Sequence, residues 1–275
     1  MKKKVGVLFQ PKIEAARDLA GHMEAVLLDL GVSAWTCSAW DAEKAAELAD
    51  GTELLVCLGG DGTVLRAVRI ACPRGIPVLG VNLGRVGFMT ELRADEALSR
   101  VPDFVRGEGH VEERTALQAE VVGATSPALH ALNDVVVARG ERCRLISVKA
   151  CVDGEPVATH RCDAMIVATA TGSTGYSLAV GGPVLHPLSS DILLQPVAPH
   201  LSPDIPLVLP SDSTIELEIG TKHHATLSID GQIEVPLEDG AVVKVRRSPQ
   251  VVKMLRAEHS CSFYGTLMKK LAKGE

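Results

Sequence analysis

Concentrated positive charge is absent from this chain. Lysine and arginine number 28 against 34 acidic residues, for a net charge of −6, and the basic runs amount to Lys2–Lys4 and short pairs such as Arg246-Arg247. A long anionic polymer finds no track on such a surface, so nucleic acid is not expected as a partner. Long apolar runs are missing as well. No stretch approaches the ~20 apolar residues of a membrane span, and the run behind the N-terminal lysines is too short for the core of a secretory signal. No membrane partner is expected, and the expected location is the cytoplasm. The seven cysteines show no Cys-x-x-Cys spacing. With Cys57 inside an apparent buried strand, they read as reduced core thiols. What the chain does have is bulk: 275 residues, 46% of them hydrophobic, enough for one large domain or two ordinary ones.

The first hundred residues change period repeatedly. "KVGVLF" reads as a buried strand, and Ile13, Ala16, Leu19, Met23, Val26 and Leu30 then recur at helical spacing up to Gly31. A strand "SAWTCSAW", a helix "DAEKAAELAD", a strand "ELLVCLG", a helix "TVLRAVRIAC" and a strand "IPVLGVN" follow. Alternation of this kind predicts a parallel sheet with helices on its faces, because parallel neighbours need crossover connections. From about Glu112 to Leu255 the segments become short and β-rich, several of them separated by Asp-Gly pairs at Asp153, Asp230 and Asp239. The tail places Phe263, Leu267, Met268 and Leu271 at helical spacing and ends in lysines that suit a helix C-terminus.

Three constellations carry chemistry. "GGDGT", Gly59 to Thr63, lies between a strand and a helix, where backbone N–H groups and a helix N-terminus suit an anion. It has neither the G-x-x-x-x-G-K-[ST] pattern nor G-x-G-x-x-G. A plain connection whose glycines permit positive φ is the competing reading. An acid in such a loop repels phosphate unless a metal bridges the two or the acid takes a proton, and both roles imply phosphoryl chemistry. "TATGSTGYSLAVGGPVLHP", Thr169 to Pro187, crowds hydroxyls and glycines behind the strand "AMIVA". A loop that wraps a polar ligand fits it, with Tyr176 able to stack and to hydrogen-bond. In "ALNDVVVA", Asn133 and Asp134 interrupt a strand pattern, either as a bulge or corner or as a pair that holds a ribose. Histidines His223 and His224 are adjacent, so on a strand they face opposite ways and do not share one metal ion.

Taken together, "GGDGT", the "LND" pair, "TGSTGYSLAVGGP", "GVNLGRVGFMTEL" and "EERTAL" resemble the NAD kinase family in order and separation, over nearly the whole chain. The glycine loop alone is shared with diacylglycerol and sphingosine kinases; "TGSTGYSL" separates the two groups. The resemblance implies an α/β plus all-β fold. A Rossmann-like parallel domain spans 1–107, a β-sandwich-like dinucleotide-binding domain spans 108–257, and a C-terminal helix, 258–275, packs back on the first domain. It implies phosphoryl transfer from ATP or a related donor to the 2′-hydroxyl of the adenosine ribose of NAD, giving NADP, with Asp61 as catalytic base and Gly59, Gly60, Gly62 and Thr63 around the donor's phosphates. NAD is expected at Asp61, Gly62, Arg66, Phe88, Asn133, Asp134, Arg144, Arg161, Asp163, Thr171, Thr174, Gly175, Tyr176, Ser177, Leu178, Ala179 and Gln232. Mg²⁺ is expected mainly on the donor's phosphates, with no dedicated side-chain set. The family also implies a homodimer or homotetramer whose dinucleotide site borrows residues from a neighbouring subunit. Asp134 stands where many members have glutamate and Gly175 where many have alanine; neither change removes a functional group. A lipid kinase built on the same loop and a non-catalytic NAD sensor are the alternatives.

Overall fold

A computed structural model describes residues 3–84, 87–140, 144–201, 203–257 and 263–272. The chain divides into two compact units, Met1–Glu113 with Gln250–Glu275, and Arg114–Pro249. No helix among the described residues is long and apolar enough to cross a membrane.

The first unit runs β1 (Lys4–Phe9), α1 (Glu14–Asp29), β2 (Ser33–Ser38), α2 (Ala42–Leu48), β3 (Leu54–Leu58), α3 (Asp61–Ala71), β4 (Val78–Asn82), β5 (Leu92–Arg93) and α4 (Ala94–Arg106). The strands are parallel in the order β4-β3-β1-β2. All five residues of β3 and all five of β4 are buried, as expected of central strands with helices on both faces. Helices α1 and α4 pack on one face through Ala20, Met23, Leu27, Val101 and Phe104. The buried stripe of α1 is Ala16, Ala20, Met23 and Leu27. Ile13 and Leu30, read from the sequence as part of that stripe, are exposed because they flank the helix rather than belong to it. The chain leaves β1 toward β2 and leaves β3 toward β4. The carboxyl ends of β1 and β3 therefore flank a topological switch point, the usual ligand crevice of open α/β sheets.

The second unit contains most of β6 (His110–Val121), then β7 (Leu129–Ala131), β8 (Asp134–Arg139), β9 (Ile146–Val152), β10 (Glu155–Cys162) and β11 (Ala164–Ala168). A one-turn helix α5 (Tyr176–Ala179) precedes β12 (Ile192–Val197), β13 (Leu207–Leu209), β14 (Ile215–Gly220), β15 (Ala225–Ile229), β16 (Ile233–Leu237) and β17 (Val242–Arg256). One antiparallel sheet has the order β13-β12-β11-β8-β15-β16. Facing it are β10, β9, β14 and the first half of β17, joined by β6 and β7. Alternate residues of both sheets, among them Val135, Val137, Met165 and Leu227 against Val148, Leu217 and Val243, fill one buried core. That arrangement is a β-sandwich. The other face of the six-stranded sheet is covered within the unit by Val180 and Leu185, which pack on Val136, Ala164, Ile166 and Leu193. "AMIVA" is therefore buried on both faces by its own unit, and the edge strand β13 is what stays exposed, with Val208 half in solvent. β17 then returns the chain to the first unit, where Met254 pairs in parallel with Val78 of β4 and α6 (Phe263–Ala272) follows.

Candidate active site

In the first unit the glycine loop sits at the end of β3. Gly59 donates its N–H to the Val81 carbonyl at 2.9 Å, and Gly60 caps α3 by accepting from Thr63 and Val64 N–H at 2.9 and 3.1 Å. The helix thus begins at Asp61, two residues earlier than "TVLRAVRIAC" suggested, so Asp61, Gly62 and Thr63 form its first turn. None of the three glycines has positive φ, which removes the turn-permitting reading. Gly59 is needed because the Thr63 side chain fills the space of a Cβ. At Gly60 and Gly62 a Cβ would meet nothing within 4 Å among the described residues. Glycine at these positions removes the side chains that would keep a phosphate from the backbone of a helix N-terminus.

Asp61 is half-buried, and its carboxylate is held from below. Oδ2 accepts Phe88 N–H at 2.9 Å and Oδ1 accepts Met89 N–H at 3.0 Å. The carboxylate also fills the place of a Gly87 side chain, which explains that glycine. Each oxygen keeps a second lone pair for a proton or a cation. The Arg66 guanidinium lies 4.3 Å from the Trp40 ring centroid, so its charge is stacked as well as available one turn into α3. Phe88 meets the C-terminal helix: its ring centroid is 6.1 Å from that of Phe263, and Lys270 Nζ lies 4.1 Å above it.

In the second unit the two polar motifs are built against each other. Thr169 donates its N–H to the Asn133 carbonyl at 2.9 Å and its hydroxyl to the Leu132 carbonyl at 2.6 Å. Gly172 sits so close to the Asn133 carbonyl that a Cβ would occupy the same space. The segment 172–179, read as a loop, is a 3₁₀ turn over Gly172–Thr174 followed by α5. Thr171 is buried, and its hydroxyl oxygen accepts from Arg114 at 3.2 Å. The buried Ser177 donates to Gln195 Oε1 at 2.7 Å, and Tyr176 remains 43% exposed. A Cβ at Gly175 would stand 3.3 Å from the Gly172 carbonyl and 3.5 Å from Asn133 Nδ2. An alanine therefore fits there with a small shift. Asn133 Oδ1 is buried with no hydrogen-bond partner among the described residues, an expensive state that a bound donor relieves.

Asp230 supports this cluster, and no reading of the sequence singled it out beyond a turn. It opens the β15–β16 hairpin with Gly231, both at positive φ. Its carboxylate accepts three backbone N–H groups: Leu132 at 2.9 Å, Asn133 at 2.7 Å and Asp134 at 3.1 Å. Burial, and secondarily the charge of Asp230, pushes the Asp134 carboxyl up to about 7. Gln232 follows the hairpin turn, its N–H bonded to the Ile229 carbonyl at 2.9 Å.

The remaining expected NAD ligands lie elsewhere. Arg161 is exposed on β10, Arg144 is exposed ahead of β9, and Asp163 is ion-paired to Arg139 at 2.7 Å. Asp134 is opposite Ala168 at one end of β11, while Asp163 precedes the other end. At 3.3 to 3.4 Å per strand residue the separation along the strand is about 17 Å. Thr174, Leu178 and Ala179 line the exposed or half-buried side of the Thr169–Val180 segment.

A parallel α/β unit with an acid in a glycine loop at a helix N-terminus, and a β-sandwich unit with an unsatisfied buried Asn133 Oδ1 against a hydroxyl-rich turn, are each features of the nucleotide-handling kinases. Comparison with known proteins narrows the class. Residues 5–109 match the ATP-NAD kinase N-terminal domain and residues 132–257 the ATP-NAD kinase C-terminal domain. The NAD kinase of Dehalococcoides mccartyi strain CBDB1 is 46% identical over 274 residues, covering 98% of this chain and 96% of that protein. That of Chloroflexus aurantiacus is 38% identical over 98% of this chain and 99% of its own. The chain belongs to the NAD kinase family. Among solved structures, an Archaeoglobus fulgidus NAD kinase in complex with ATP is similar with a TM-score of 0.79 and 28% identity, covering 98% of both chains. A yeast NADH kinase complexed with NADH also gives 0.79, at 25% identity, over 98% of this chain and 86% of that one.

Proposed function

We propose that the chain transfers the terminal phosphoryl group of ATP to the 2′-hydroxyl of the adenosine ribose of NAD, giving NADP and ADP. The observation that carries the chemistry is the placement of Asp61 in the first turn of α3 between Gly60 and Gly62, where a Cβ would meet nothing within 4 Å among the described residues. The family matches over both units support NAD as acceptor, ahead of a lipid or of mere NAD sensing. In this reading the N-terminal turn of α3 holds the donor's phosphates, Asn133 and Asp134 hold ribose hydroxyls, and Tyr176 lies against the dinucleotide. Asp61 accepts the proton of the attacking hydroxyl, with the donor's phosphoryl group in line. Mg²⁺ would be held mainly by the donor's phosphate oxygens beside the N-terminal turn of α3, with no dedicated side-chain set. When bound, it neutralises charge on the transferred group.

We also infer a homo-oligomer. The distance between the Asn133 cluster and the Arg161–Asp163 pair supports it, because residues at opposite ends of β11 serve one compact site most readily if one set comes from a second copy. Exposed Leu201, Ile205, Leu207 and Val208 near the β13 edge offer apolar surface for contact. A fully active species of about 29 kDa in sedimentation at every concentration would contradict this. Free thiols at Cys37, Cys57, Cys72, Cys151 and Cys162 are consistent with a reducing compartment such as the cytoplasm. The activity itself is tested by incubating the protein with NAD, ATP and Mg²⁺ and measuring NADP with a dehydrogenase specific for it. Tight NAD binding without NADP from any phosphoryl donor would leave the sensing reading in its place.

A further inference from the structure

Arg256, at the last position of β17, is almost completely buried in the first unit together with two carboxylates. Its Nη1 lies 3.1 Å from Glu91 Oε2 and its Nε 3.1 Å from Glu112 Oε1. The other oxygen of Glu91 accepts Ala257 N–H at 3.1 Å, which fixes the carboxylate to the chain beside Arg256. The guanidinium then reaches two carbonyls, Met89 O at 3.4 Å and Phe88 O at 3.5 Å. Residues 88 and 89 are the ones whose N–H groups hold the two oxygens of Asp61. The same strip is backed by β4: Glu91 N–H bonds the Gly80 carbonyl at 2.8 Å, and a Cβ at Gly80 would come 3.0 Å from both Met89 O and Thr90 Cα. One short segment is therefore gripped by its carbonyls from Arg256, by its N–H groups from Asp61, and from behind by a strand.

An ion triad this deep is weak evidence for stability, since desolvating the charges offsets much of their attraction. Its geometry accounts for it better. The forked guanidinium alone can span two carboxylates and two carbonyls, whereas an ammonium is a point charge with three donors. We propose that Arg256 is a positioning residue for phosphoryl transfer, acting through the Phe88–Met89 backbone to hold the Asp61 carboxylate in its reactive orientation. The proposal rests on Asp61 being the base.

The test is a cycle of Arg256→Lys, Asp61→Asn and the double variant, with kcat and both KM values measured by NADP formation at a temperature where each is folded by circular dichroism. Arg256→Lys is expected to lower kcat by about 10- to 100-fold while KM for NAD and ATP stay within about threefold, the signature of misorientation rather than lost binding. On the Asp61→Asn background the lysine is expected to cost nothing further. Glu112→Gln, which leaves the hold on the carbonyls in place, is expected to lower the melting temperature and keep kcat. Unchanged kcat in Arg256→Lys beside an inactive Asp61→Asn would overturn the positioning role alone. Equal slowing by the lysine on both backgrounds would overturn it too. Near-normal turnover in Asp61→Asn would remove the base and the positioning role with it. Should Arg256→Lys fail to fold, Glu91→Gln carries the same test: a fall in kcat at constant KM supports the role, and unchanged kcat overturns it.

Discussion

Replacing Asp61 by asparagine separates two tasks that the structure gives one side chain. Both carboxylate oxygens accept backbone N–H groups, from Phe88 and Met89. The amide offers one acceptor oxygen and turns an NH₂ group against the other N–H, so one charge-assisted bond is lost and a donor is left facing a donor. Such a loss is worth about 1.5–3 kcal/mol, toward the lower end here because the site is half open to water. For a unit of this size that is about 4–8 °C in melting temperature. Loss of the base is a separate effect, about 10² to 10⁴ in kcat, or about 3–5 kcal/mol of barrier. The two are resolved by assaying turnover well below the lowered melting point and measuring NAD and ATP binding calorimetrically on the same sample. NAD affinity should hold within severalfold, and ATP should bind as well or more tightly once a negative charge beside its phosphates is gone. A lower melting temperature with turnover within threefold of the parent would show that Asp61 only ties down residues 88 and 89.

Three further outcomes follow from the second unit. Gly172→Ala forces a methyl group onto the Asn133 carbonyl, so it should destabilise the protein by about 1–3 kcal/mol and raise KM for NAD more than KM for ATP; equal KM values and an unchanged melting curve would contradict the packing. The Asp134 carboxyl titrates at about 7 when folded and near 4 when unfolded, so the folded state binds that proton more tightly, and the stability it contributes is complete below about pH 4 and lost as pH rises through 7. Asp134→Asn should therefore gain stability relative to the parent at pH 8 compared with pH 4, measured by denaturant titration at both values; a difference independent of pH would contradict the burial and the Asp230 charge as causes. Tyr176→Phe should weaken NAD binding by about 0.5–1.5 kcal/mol and Tyr176→Ala by more, both with unchanged melting because the ring is largely outside the core; a clear drop in melting temperature would make the ring a packing residue.

The alternating α/β half was legible because each element carries its own period, and "GGDGT" stood out because glycine and aspartate so rarely crowd a strand end without cause. The start of α3 was not, since Gly62 discourages a helix that Asp61 and Gly60 nonetheless begin. Likewise "TGSTGYSL" has no apolar periodicity, so its helical turns were invisible; Thr169, Ser173 and Ser177 fold it through hydrogen bonds to neighbouring backbone and to Gln195. The cover of "AMIVA" was hidden as well, because Val180 and Leu185 come from a following segment without apolar periodicity. Asp230 was hidden inside an Asp-Gly turn signal, 97 residues from Asn133 in sequence. Arg256 shows the same limit, as its partners Glu91 and Glu112 come from other elements and only the fold brings them together.

The product that defines the activity is a new phosphate ester on the 2′-oxygen of NAD, formed at the expense of ATP. The direct measurement is phosphorus NMR of a reaction containing the full chain, NAD, ATP and Mg²⁺, with the product identified against authentic NADP. One 2′-phosphomonoester signal per ADP released is expected, and none when NAD is replaced by its 2′-deoxy analogue. ADP release without a dinucleotide phosphate, or a phosphate ester that persists with the 2′-deoxy analogue, would contradict it.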